Sequence, residues 1–121
     1  MKEFSFEKLI VWQKSRSLTN SVYSITRHFP AEERFGLISQ MRRSAISICS
    51  NIAEGSGRKS PKDQARFTEI AYGSALELLN QLIVSSDMEF IKEDELNGLR
   101  LEISEITSML NGLRTSQTSK I

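Results

Sequence analysis

The chain has 121 residues, 39% of them hydrophobic and 26% charged, which fits one water-facing domain with a core of its own and excludes a disordered tail or a disulfide-stapled miniprotein. Formal charge is only +1, but residues 1–66 carry 12 Lys and Arg against 6 Asp and Glu, and residues 67–121 carry 4 against 9. That imbalance suits pairing between helices or subunits, or a basic face for a polyanion; an ordinary solvated surface is the plain alternative.

The N-terminal stretch MKEFSFEKLIVWQKS meets charge early and lacks the apolar core of a signal peptide, and no run approaches a membrane span. A cytoplasmic protein without membrane contact is expected. Residues Phe4 to Leu9 read as a segment packed across the fold. The first helix is expected over residues 9–28, with Trp12, Thr19, Val22, Thr26 and Phe29 on its inner face and Pro30 ending it. The second is expected over 32–54. Ile38, Met41, Ala45, Ile48 and Ile52 repeat at spacings of three and four, and Gly55 and Gly57 are expected to stop it.

The third helix is expected over 61–86. Ser60 caps it, Pro61 fills its first turn, and Asp63 follows three residues after the cap. Phe67, Ala71, Ser74, Leu78 and Leu82 form its stripe, and Gly73 in mid-helix suggests a close neighbouring backbone. The fourth is expected over 92–113, where Leu96, Leu99, Ile103, Ile106, Leu110 and Leu113 give the strongest periodicity in the chain. Residues 114–121 are expected to fray. Short links between helices of this length favour an all-α, antiparallel up-down-up-down four-helix bundle spanning 1–121 as a single domain.

Little in the chain suggests catalysis. His28 is the only histidine and Cys49 the only cysteine, and neither zinc patterns nor the Glu-x-x-His motifs of di-iron bundles occur. No metal, cofactor or catalytic residue is expected, and the chain reads as a non-enzyme. EGSGRKS (54–60) lacks the spacing of a phosphate loop and follows a helix. Its Arg58 and Lys59, with Lys62, could still hold a phosphate near a helix N-terminus. With Arg42 and Arg43 they make the candidate nucleic-acid contacts, of the kind that position a backbone without reading bases. Gln40, Ser47, Asn51 and Glu54 fall on one helical flank and, with Ser74 and Glu77, read as a structural polar network.

FEKLIVWQKS (6–15), HFPAEERFGLISQMRRSAISICSNIAEGSGRKS (28–60) and FTEIAYGSALELLNQL (67–82) together carry a specific pattern. In them the chain resembles the four-helix-bundle proteins encoded by intervening sequences in bacterial 23S ribosomal RNA genes, which share the S23 ribosomal protein label. It also resembles the accessory variability protein of diversity-generating retroelements. The resemblance implies a four-helix protomer that assembles with itself into a ring, a pentamer, and relatives that associate with a reverse transcriptase and nucleic acid. The expected function is a homo-oligomeric scaffold or adaptor, binding RNA or DNA weakly through a basic face; the alternative is an adaptor for an unidentified protein with no nucleic-acid role.

Overall fold

Pro30 and Pro61 bracket the second helix of a computed structural model that describes residues 1–121. The helices are α1 (Ile10–Thr26), α2 (Leu37–Ser56), α3 (Pro61–Asp87) and α4 (Glu93–Thr118), with no strand. The four-helix bundle is as expected. Each helix contacts its two chain neighbours around a closed square, α2 against α3 most intimately and α1 against α4 most sparsely. A core of 17 buried apolar residues draws on all four helices.

On α1 the buried positions are Val11, Ser15, Leu18, Val22 and Thr26. Trp12 and Thr19, expected on this seam, flank it half-buried. The true stripe is hard to read because two of its members carry hydroxyls. Ser15 Oγ donates to the Val11 carbonyl at 2.7 Å and Thr26 Oγ1 to that of Val22 at 2.7 Å, so each polar group is satisfied within its own helix. Ahead of α1, Ser5–Lys8 form one 3-10 turn, and Phe6 meets the Trp12 ring edge-on at 5.0 Å.

The second helix starts later than the pattern suggests. Ala31–Glu33 make a separate 3-10 turn, and Gly36 (φ −106°, ψ −114°) breaks the chain before Leu37. Glu33 Oε1 then accepts from the Leu37 amide at 3.3 Å, satisfying one of the free amides of a helix start. The far end is also corrected. Gly55 lies inside α2, and Gly57 caps it in a right-handed conformation (φ −91°). Gly55 is small for another reason: a Cβ there would stand 2.8 Å from Phe67 Cβ on α3. The close approach expected at Gly73 is absent, since nothing lies within 4 Å of a Cβ built there.

Ser60 caps α3 as expected, its Oγ accepting from the Asp63 amide at 3.1 Å. The α3 end turns on Glu89, a non-glycine residue at φ 64°. The Phe90 amide donates to the Ser85 carbonyl at 2.9 Å, the closing bond of a left-handed C-cap. Lys92 N donates to Glu95 Oε1 at 2.9 Å as α4 begins. This helix runs to Thr118, so most of the segment expected to fray is ordered helix, with Gln117 buried.

Candidate functional site

The tight α2–α3 pair brings together most of the polar residues read as a network. Ser47 Oγ and Ser74 Oγ lie 2.7 Å apart across the interface. Asn51 Nδ2 donates to Ser47 Oγ at 3.0 Å and to the Ser47 carbonyl at 2.8 Å. Gln40 and Glu77 make no hydrogen bond to either serine; they line a cleft of about 360 Å³ above it. Arg43, Ser44 and Gln81 complete that lining, and no apolar side chain contributes. Glu54 stands apart, its carboxylate 2.9 Å from Arg58 Nη2.

Two of these lining residues escape a reading of the sequence alone. Ser44 and Gln81 are only 6% and 9% exposed, and both look like surface positions in the pattern. Gln81 Oε1 is buried without any hydrogen-bond partner. The available signal was spacing: Ser74, Glu77 and Gln81 repeat at three and four along one flank of α3.

The candidate phosphate contacts separate into three places. Arg42 turns toward α1, where its Nε donates to Thr26 Oγ1 at 2.9 Å and its guanidinium lies 4.5 Å from the centre of the Tyr23 ring. Arg43 faces the cleft on the other side of the helix, as expected for neighbours about 100° apart. Arg58, Lys59 and Lys62 gather at the α2–α3 turn. Arg58 is held there by Glu54 and by the Phe67 ring at 4.7 Å, whereas Lys59 and Lys62 are exposed and form no ion pair. Arg66, one turn beyond Lys62 on α3, is a further exposed cation of this turn that the sequence reading passed over.

The remaining reactive groups are quiet. Burial pushes the Cys49 thiol above its ordinary range, against opposing effects of its 3.5 Å contact with Thr19 and of Arg16. A raised thiol pKa means little nucleophilic thiolate. His28 lies on an open groove between α1 and α4 with Asp94, Glu95 and Glu102. Burial, followed by the neighbouring Glu105, raises the Glu102 carboxyl, and Lys14 partly offsets them. Lys14 itself pairs with Glu105 at 2.7 Å. No three histidine, cysteine or carboxylate side chains converge as metal ligands, and no helix is long and apolar enough to cross a membrane.

A family model described as 23S rRNA-intervening sequence protein matches residues 7–112. Among solved structures, the chain superposes on a protein of unknown function from the S23 ribosomal protein family of Bacteroides thetaiotaomicron with a TM-score of 0.81. The two are 23% identical over 88% of this chain and 96% of the other, a likeness of fold. No curated protein matches the sequence.

Proposed function

The chain belongs to the 23S rRNA-intervening sequence protein family, and we propose that it is a non-enzymatic, self-assembling scaffold that holds nucleic acid weakly by charge. One observation carries this reading: the charge imbalance follows the helix pairs. α1 and α2 hold Lys14, Arg16, Arg42 and Arg43 against Glu54 alone, while α3 and α4 hold four cations against nine carboxylates. The helix order places these pairs on opposite sides of the bundle. The positive side of one copy therefore complements the negative side of the next. Such a head-to-tail contact, when its rotation closes, gives a ring. Five copies is the number implied by the family resemblance.

A ring would repeat the α2–α3 turn once per protomer, each copy presenting Lys59, Lys62 and Arg66. Contacts too weak singly to hold RNA or DNA then act together. The likeness to accessory variability proteins supports the same polyanion partner. The test is assembly mass measured alongside binding of structured RNA and single-stranded DNA across a salt series. An assembly larger than the monomer, binding both with an affinity that falls steeply with salt, is the expected result. A monomer at all concentrations and salts overturns the scaffold. An intact assembly that binds neither nucleic acid leaves a protein-partner scaffold, a reading favoured by Leu76 and Leu101, which are 48% and 73% exposed on the acidic side.

A further inference from the structure

The α2–α3 cleft has walls of opposite hydrogen-bonding character. On α3, Glu77 and Gln81 stand one turn apart, and both offer oxygen acceptors. Glu77 forms no ion pair, and Gln81 Oε1 is buried and unpartnered on a residue 9% exposed. An acceptor left in that state is costly unless a donor reaches it. On α2, the Arg43 guanidinium is exposed and likewise unpaired.

The floor adds one more donor. Asn51 already donates to Ser47 Oγ, and Ser47 and Ser74 share a single hydrogen bond. Two hydroxyls carry two protons, so one proton of the pair is left to face the cleft. With no apolar or aromatic wall, the cleft offers a base nothing to stack on and a hydrophobic ligand nothing to bury against.

We propose that this cleft binds a small dipolar ion of the α-amino-acid class, its ammonium held by Glu77 and Gln81 and its carboxylate by Arg43 and the serine hydroxyls. Both ends then make charge-assisted hydrogen bonds, and the donor missing at Gln81 is supplied by the ligand. The site lies within one protomer and does not depend on assembly or on nucleic acid.

The test is a titration of the full chain with L-serine, followed through the Gln81 side-chain amide resonances. N-acetyl-L-serine, lacking the ammonium, and L-serine methyl ester, lacking the carboxylate, serve as matched probes. A saturable shift with L-serine, and binding about tenfold weaker for each blocked probe, is expected from the loss of one charge-assisted end. Glu77→Gln and Arg43→Gln change exposed side chains, so both variants should fold normally and each should weaken L-serine by a similar factor. No saturable shift with L-serine overturns the proposal. So does equal binding of the three probes, or unchanged affinity in either variant.

Discussion

Thr68 and Gln117, one near the start of α3 and the other at the end of α4, share a buried 2.7 Å hydrogen bond in which the Thr68 hydroxyl donates to Gln117 Oε1. Beside it, Arg114 Nε reaches Glu69 Oε1 at 2.6 Å on the exposed flank. The buried bond matters more than the exposed one, because surface ion pairs contribute about 0–1 kcal/mol. It fastens the final turn of α4 to the bundle at a point where the leucine and isoleucine repeat has already ended.

Thr68→Val should therefore cost stability although the shapes are similar. It strands Gln117 Oε1 in a buried site, for a loss of about 1–3 kcal/mol in chemical denaturation. Amide exchange should accelerate over residues 114–118 more than elsewhere. An exchange pattern unchanged at that end would show that the bond does not hold it.

Gly55→Ala is the sharpest test of the α2–α3 packing. The added methyl would meet Phe67 Cβ at 2.8 Å, and the contact involves the base of that side chain, which cannot swing away. The helix-propensity gain of about 1 kcal/mol over glycine is then outweighed by overpacking of about 1–3 kcal/mol. Gly73→Ala is its control. With nothing within 4 Å of the new methyl, it should stabilise the protein by up to about 1 kcal/mol. Thermal melts of the two variants should move in opposite directions.

The contrast between those glycines shows what the sequence could disclose. The repeats of α2 and α4 were legible because their buried positions, Met41 to Ile52 and Leu99 to Leu110, are almost all aliphatic. The α1 seam was misread by one position because Ser15 and Thr26 are buried with their hydroxyls bonded to carbonyls one turn back, which no hydropathy pattern reveals. Gln117 hid the end of α4 in the same way, since its partner lies 49 residues away. The polar flank of α2 was visible, but its conversion into a cleft required the matching flank of α3. Arg42 and Arg43 are adjacent and chemically alike, and only the position of Tyr23 decides that the first is tied to α1.

Glu102 should give the stability a pH dependence. Its carboxyl is raised in the folded protein by burial and by Glu105, so the fold holds that proton more tightly than the unfolded chain does. Its contribution is fully present below the ordinary glutamate range and is lost as pH rises through the raised value. Glu102→Gln should flatten this slope just above the ordinary glutamate range and raise the melting temperature slightly at neutral pH. An unchanged pH profile would assign the dependence to other carboxylates. The effect is small because the group is largely solvated.

Arg42 and the turn cations should separate stability from polyanion binding. Arg42 donates to Thr26 and stacks on Tyr23, so Arg42→Ala should destabilise the fold by about 1–2 kcal/mol. Its effect on RNA affinity, measured where the variant remains folded and assembled, should be slight, because its guanidinium is already engaged. The triple change Lys59→Gln, Lys62→Gln and Arg66→Gln should do the reverse. These side chains are exposed and unpaired, so stability should stay within about 0.5 kcal/mol. Each lost phosphate contact lowers the steepness of log affinity against log salt by about 0.7 for a single strand. Three contacts on one protomer thus predict a slope shallower by about 2. A slope unchanged by the triple variant but shallower in Arg42→Ala would move the polyanion surface from the α2–α3 turn to the α1–α2 side.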